Sequence, residues 1–290
     1  MAGVTSMPNF AYIGTSKAGS TWLFNTLATH PEVYLASSKG LYFFDQHFDE
    51  GPQWYRDHFR AGDGQVARGE ISHSYLSSPE APARIAGFNP DMRLLACLRE
   101  PVDRAFSDYL DLVKNRQFDG AFPAALQRFP RLLDRGRYAT HLQRYLDVFP
   151  REQIHVSLFD DLRTDPQAYA DEVFDFLGVS RRQLPPADLA SRMPAATPRS
   201  AAAAKAAKSA ATWAKRVGLR RLRSRVKRSV VVRQALYRPY KDDRPVIDPA
   251  LAAELRLGFT EEVHRLDAML GVPVSRQWGY SDPPQQAVEG

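Results

Sequence analysis

Residues Gly14 to Thr21 read GTSKAGST, two glycines five positions apart with a hydroxyl side chain beyond the second. A triphosphate-binding loop, G-x-x-x-x-G-K-[ST], puts its lysine directly after the second glycine, where the ammonium spans the β- and γ-phosphates. Here Ser20 occupies that place and the lysine, Lys17, stands inside the loop. The apolar run of residues 10–13 precedes the loop, and residues 21–29 follow with apolar side chains at helical spacing, predicting strand, loop and helix, with Ser20 or Thr21 available to cap the helix. Such a loop aims several backbone N–H groups at one point, where the helix dipole also favours negative charge. It is suited to a phosphate or sulfate group, and Lys17 adds a mobile positive charge beside it.

The elements that must position this loop alternate. Short strands are predicted over residues 66–71, ending at Glu70, over 92–98 and over 154–159; helices are predicted over 102–114, with Pro101 in the first turn, and over 166–177, closed by Gly178. Alternating strands and helices predict an α/β fold, a P-loop-like parallel sheet flanked by helices on both faces. Residues 184–200 are rich in Pro, Ala and Ser and read as a surface loop, 201–217 have strong helix propensity, and 251–270 give a final amphipathic helix. The expected organisation is one domain over residues 1–290 with a C-terminal helical, basic extension. The strand over 92–98 ends in Arg99-Glu100 rather than in the lone Asp that would hold Mg²⁺ in a nucleotide kinase, which disfavours metal-assisted phosphoryl transfer. An arginine at the carboxyl edge of an open sheet instead suggests a second phosphate, and a helix starting near Val102 would turn Ser107 back toward it.

These segments carry a family resemblance. TSKAGSTWL is similar to the 5′-phosphosulfate loop of sulfotransferases, and LLACLREPVDRAFSDYL to their 3′-phosphate motif. Lys39-Gly-Leu-Tyr-Phe-Phe-Asp resembles the K-E-x-x-F-F-D of the heparan-sulfate-type and bacterial branch, and Glu70-Ile-Ser-His-Ser-Tyr-Leu its E-x-[ST]-P-x-Y-[FL]. The four motifs lie in family order between residues 10 and 115. The resemblance implies 3′-phosphoadenosine 5′-phosphosulfate (PAPS) as donor, adenosine 3′,5′-bisphosphate as product, an acceptor oxygen or nitrogen and no metal, with a hydroxyl the leading acceptor. By motif position Ser16, Lys17, Ala18, Gly19, Ser20, Thr21 and Trp22 would hold the 5′-phosphosulfate, and Arg99 with Ser107 the 3′-phosphate. Arg199, where a basic loop closes the nucleotide site in family members, joins them. Glu70 matches the catalytic glutamate.

Each residue has a chemical role and a plainer one. Sulfuryl transfer needs the acceptor hydroxyl deprotonated as it attacks sulfur in line, which Glu70 would supply; otherwise it is a solvated or helix-capping carboxylate. His73 stands where the family more often has proline, and could act as base, with an ordinary imidazole pKa of about 6.5, orient Glu70, contact the acceptor or simply be exposed. Lys17 and Lys39 are candidates to neutralise the bridging and sulfuryl oxygens, although Gly40 replaces the glutamate that would fix Lys39. Arg99 would fork onto a phosphate, or onto a carboxylate such as Asp103. Cys97, Phe43 and Phe44 read as core, Tyr42 as core or as a lining of the acceptor cleft, and Trp54 and Tyr55 as ambiguous.

Bulk properties set the frame. The chain has 290 residues, 44% hydrophobic and 25% charged, ordinary for a globular protein. One cysteine excludes an internal disulfide, and neither a signal-like N-terminus nor 18 consecutive apolar residues occurs, so a cytoplasmic location is expected. The net charge of +6 is local: 14 Lys/Arg and no Asp or Glu lie between Arg199 and Lys241. Leu219, Leu222, Val226 and Val230 share one helical face there, so the segment suits an anionic membrane surface, a lipid-linked acceptor or a cover over the acceptor cleft. A carbohydrate or small-molecule hydroxyl is an equally open acceptor, and no nucleic acid is expected. The alternatives are a P-loop nucleotide kinase and a non-catalytic basic module binding membrane or nucleic acid.

Overall fold

The computed structural model describes residues 7–62, 64–189, 196–198, 237–239 and 245–280. Five strands form one sheet: β1 (Phe10–Gly14), β2 (Val33–Leu35), β3 (Ala67–Ile71), β4 (Arg93–Leu98) and β5 (Ile154–Leu158), in the order β2-β3-β1-β4-β5, all parallel. β1 lies at the centre, with Ala11 beside Glu70 of β3 on one side and beside Leu94 of β4 on the other. The loops that leave the carboxyl ends of β1, β3 and β4 therefore emerge side by side, the edge where open α/β sheets gather ligands.

The period-2 alternation of the strands sorts the core. Phe10, Tyr12, Leu95 and Cys97 face one side, packed with Leu23 and Leu27 of α1 (Ser20–Leu27) and with Tyr169, Val173 and Phe174 of a later helix over Pro166–Leu177. Ala11, Ile13, Leu94, Ala96 and Leu98 face the other, against Phe43, Tyr55, Tyr75, Leu142 and Trp278. Both faces are thus covered by helices, which an all-parallel sheet requires.

Further helices are α2 (Phe43–Gln46), α3 (Gly51–Asp57), α4 (Ala81–Phe88), α5 (Pro101–Lys114), α6 (Phe122–Arg128), α7 (Arg131–Asp134) and α8 (Tyr138–Leu146), then α9 (Phe159–Thr164), α10 (Pro166–Leu177) and α11 (Pro186–Leu189). Glu100 caps α5 by accepting the Asp103 N–H at 2.6 Å, and Gly178 ends α10 in the left-handed conformation. The stretch read as a single helix over 251–270 is instead two, α12 (Pro249–Leu257) and α13 (Thr260–Leu270), followed by α14 (Val274–Trp278). Gly258 closes the first, and buried Phe259 redirects the chain so that Val263 and Leu266 can enter the core. The stretch 184–200 is not loop throughout: it holds α11 and a strand, β6 (Ala196–Pro198), that pairs antiparallel with β7 (Tyr237–Pro239). The helix expected over 201–217, and Arg199 with nearly all of the basic segment, lie outside the described residues. Among the described residues no helix is long and apolar enough to cross a membrane.

Candidate active site

The loop after β1 is built around left-handed backbone. Lys17 has φ 68° and Gly19 φ 81°, and a Cβ on Gly19 would lie 2.4 Å from Leu162 Cδ2, so only glycine fits at this approach of the loop to α9. Gly19 is the N-terminal cap of α1 and no side chain caps the helix; Ser20 and Thr21 are its first two residues rather than its cap. The first helical bond runs from Leu23 N–H to the Gly19 carbonyl, which leaves the amides of Ser20, Thr21 and Trp22 without intrahelical partners at the positive end of the dipole. The hydroxyls freed from capping accept hydrogen bonds from Lys39 Nζ, 2.9 Å to Ser20 Oγ and 2.7 Å to Thr21 Oγ1.

Lys39 begins a turn that is fastened to the end of β3. Gly40 N–H donates to the Ile71 carbonyl at 2.9 Å, Leu41 N–H to Glu70 Oε2 at 3.3 Å, and Tyr42 N–H to Ser72 Oγ at 3.0 Å. Glu70 is 1% exposed. Ser72 Oγ also donates to its Oε2 at 2.5 Å and Tyr75 hydroxyl to its Oε1 at 2.7 Å. Burial lifts the Glu70 carboxyl above the ordinary carboxylate range, against the opposing pull of those hydrogen bonds. The carboxylate and the loop after β1 are thereby joined through one short turn that carries Lys39.

His73 is neither exposed nor bonded to Glu70. Its Nε2 meets the Tyr42 hydroxyl at 2.8 Å, and its Nδ1 is buried without a partner. Burial first, then Lys39, Arg135 and Lys17, lower its pKa to about 4, with Asp108 opposing. The imidazole is therefore neutral at pH 7, and its surroundings are cationic.

Lys17 reaches Asp111 of α5 at 3.3 Å. Arg99 lies over the Phe159 ring at 5.2 Å, with Asp103 Oδ2 3.7 Å away and the Lys17 carbonyl 3.4 Å away. Ser107 is half-buried and stands one helical turn beyond Asp103 on α5, while Arg99 precedes the helix and meets Asp103 from just beyond β4. Both readings of Arg99, phosphate fork and carboxylate partner, are compatible with this placement. Ser16 is buried, Ala18 and Trp22 belong to the core, and the Trp22 indole N–H donates to the Asp188 carbonyl at 2.9 Å. These two can offer an anion only their amides.

Four charged groups that no motif marks, Arg104, Asp108, Asp111 and Arg135, also belong to this region. Arg104 is fully buried, donating to Ser16 Oγ and Asp108 Oδ2, both at 3.4 Å, and to the Leu132 carbonyl. Arg135 meets the same Asp108 oxygen at 3.4 Å. The i, i+4, i+7 spacing of Arg104, Asp108 and Asp111, one face of α5, was the available signal. Trp54 and Tyr55 resolve as packing, with Tyr55 stacked on Phe43 at 4.7 Å and Trp54 partly buried against the same ring.

A sulfotransferase-domain family model matches residues 8–221, most of the chain. The chain belongs to the sulfotransferase family. Among curated sulfotransferases it is 35% identical over 190 residues to human heparan sulfate glucosamine 3-O-sulfotransferase 3B1, covering 62% of this chain and 48% of that protein. It is 30% identical over 193 residues to human heparan sulfate glucosamine 3-O-sulfotransferase 5, covering 62% and 56%. The chain thus spans about half the length of the curated relatives it matches. A crystal structure of a sulfotransferase from Alicyclobacillus acidocaldarius superimposes with a TM-score of 0.69 at 26% identity, covering 94% of this chain and 99% of that one.

Proposed function

We propose that this chain transfers a sulfuryl group from PAPS to an acceptor hydroxyl by in-line displacement. The observation that carries the proposal is the Lys39 turn, which bonds the phosphosulfate-type loop with its side chain and the buried Glu70 with its backbone. The loop amides of Ser20, Thr21 and Trp22 together with Lys17 suit the 5′-phosphosulfate, and Arg99 with Ser107 suits the 3′-phosphate. PAPS supplies the activated sulfuryl group.

Glu70 takes the acceptor proton. Its raised pKa makes the ionised carboxylate a stronger base than a solvated one, and Ser72 and Tyr75 hold it in one orientation. Lys39, already bonded at the mouth of the loop, offsets negative charge on the oxygens in transfer. The heparan sulfate relatives favour a carbohydrate hydroxyl as acceptor, with lipid-linked and small-molecule hydroxyls as the other candidates. The basic segment adds a peripheral contact with anionic membranes, and flotation with phosphatidylserine vesicles that fails at low salt would remove it.

Calorimetric titration with adenosine 3′,5′-bisphosphate in metal-free buffer tests the nucleotide assignment. Binding is expected, weakened in Lys17→Ala and Arg99→Ala. Absence of binding, or Mg²⁺-dependent binding of ATP in its place, would sink it.

A further inference from the structure

Arg99 lies between Leu98, the last residue of β4, and Glu100, the cap of α5, so the cap sets the direction in which Arg99 leaves the sheet. Its carbonyl accepts from the Tyr138 hydroxyl at 2.7 Å, and its guanidinium stands 5.2 Å over the ring of Phe159, the first residue of α9. These three supports, the cap, Tyr138 and Phe159, are all held from α14 and the two residues that follow it. Tyr280 hydroxyl donates to Glu100 Oε1 at 2.7 Å. Trp278 Nε1 donates at 3.0 Å to Asp160 Oδ2, beside Phe159 in the chain, and the Trp278 ring lies 6.2 Å from that of Tyr138.

Glu100 is 6% exposed, and its two oxygens are divided between two tasks. Oε2 accepts the Asp103 N–H at 2.6 Å, while Oε1 takes the Tyr280 hydroxyl and has Arg256 Nε of α12 3.5 Å away. Burial, and then Glu100 itself, push the Tyr280 phenol far above its ordinary value, so it keeps its proton and remains the donor. A buried carboxylate oxygen that loses a donor must move toward another one or toward water. The group that moves is the cap of α5, and Arg99 is joined to it by a single peptide. A forked guanidinium contact is directional, so a small shift of the cap costs the fork more than it costs the fold.

Resting on the assignment of Arg99 and Ser107 to the 3′-phosphate, we propose that Tyr280 is a positioning residue for nucleotide specificity. Through Glu100 it holds Arg99 at the carboxyl edge of β4, and so sets how strongly the site prefers a nucleotide that carries a 3′-phosphate over one that lacks it. Trp278 steadies the other side of the same guanidinium through α9, on which Phe159 stands. The 5′ end of the nucleotide is held by other groups, the amides after Gly19 and Lys39, so the effect of Tyr280 belongs to the 3′ end. A contact 180 residues away along the chain thereby tunes the strand-end arginine.

The test compares adenosine 3′,5′-bisphosphate with adenosine 5′-monophosphate, which differ only in the 3′-phosphate. Both are titrated against the full chain, by calorimetry and by displacement, in wild type, Tyr280→Phe, Arg99→Ala and the double variant. Tyr280→Phe keeps the ring in the core and removes only the donor. Its affinity for the bisphosphate is expected to fall about 10-fold, the size of one hydrogen bond to a charged group, with affinity for the monophosphate unchanged. In Arg99→Ala the preference for the 3′-phosphate is already lost, so adding Tyr280→Phe is expected to change neither affinity. A tyrosine that serves the fold alone would weaken both nucleotides together, or lower the thermal midpoint and leave both affinities as they were. Either result overturns the proposal, as does a Tyr280→Phe effect that persists undiminished in Arg99→Ala. A wild type that binds the two nucleotides equally contradicts the assignment of Arg99 and Ser107, and one that binds neither contradicts the sulfotransfer proposal itself.

Discussion

At the scale of single residues, the site rests on the contrast between a buried carboxylate and a bonded ammonium. Lys39 spans two hydroxyls of α1, so Lys39→Ala removes a preorganised charge and should lower sulfate transfer on the order of 10²-fold, measured as initial rate at saturating PAPS. Burial raises the Glu70 carboxyl, so the proposed base is protonated over a wider range than an exposed glutamate. The rate should therefore fall as pH drops through a limb lying above the ordinary value of about 4.3, and a limb at or below that value would contradict the role. Lys17, Lys39, Glu70 and Arg99 could be picked from the sequence because the loop and strand-end motifs bring their types together at fixed spacing. Arg104 and Asp108 share a charged face of α5 whose spacing is visible but which would ordinarily face water, and only the packing of α5 beneath the loop buries it; Arg135, just beyond α7, carries no such pattern. The contact of Tyr42 with His73 joins residues 31 apart through two positive-φ positions, one of them a tyrosine, which no local pattern announces.

At the scale of elements, strands with continuous apolar runs and helices with clear boundary residues were legible. β4 and α10 fall where the sequence places them, because RLLACL has no polar interruption and Asp165 and Gly178 bracket the helix. β2 escaped notice because three residues, VYL, carry no period. The helices between residues 122 and 146 escaped because Pro130 and Gly136 break their pattern into short pieces. The break at Gly258–Phe259 was hidden because both halves keep apolar residues at helical spacing, and only the buried Phe259 shows where the axis turns. The sharpest local demand is at Gly19, where a left-handed φ coincides with the wall formed by Leu162. Gly19→Ala should lower stability by about 1–3 kcal/mol and weaken adenosine 3′,5′-bisphosphate binding with it. A thermal melt unchanged from wild type would show that the loop tolerates a side chain there.

At the scale of the whole molecule, the central position of β1 brings three loops to one edge, and the C-terminal helices tie that edge down. Tyr280 hydroxyl donates to Glu100 Oε1 at 2.7 Å, and Trp278 Nε1 to Asp160 Oδ2 at 3.0 Å, so the end of the described chain braces the cap of α5 and the first turn of α9. Global stability carries its own pH signature through His155 on β5, whose pKa burial, and secondarily Arg151, lower to about 4. A depressed histidine pKa means stability that is complete above the unfolded value of about 6.5 and is lost as pH falls toward about 4. Glu70 runs the other way, because a raised carboxyl gains its proton more readily in the folded state. His155→Leu should therefore flatten the acid side of the melting-temperature profile, and an unchanged slope would contradict that assignment. The central claim meets its most direct test in labelled-sulfate transfer from PAPS into an extract of the native host, wild type against Glu70→Gln. The expected result is a labelled product with wild type and a rate about 10²- to 10⁴-fold lower in the variant, with affinity for adenosine 3′,5′-bisphosphate unchanged. No labelled product with wild type, or a variant as fast as wild type, would contradict it.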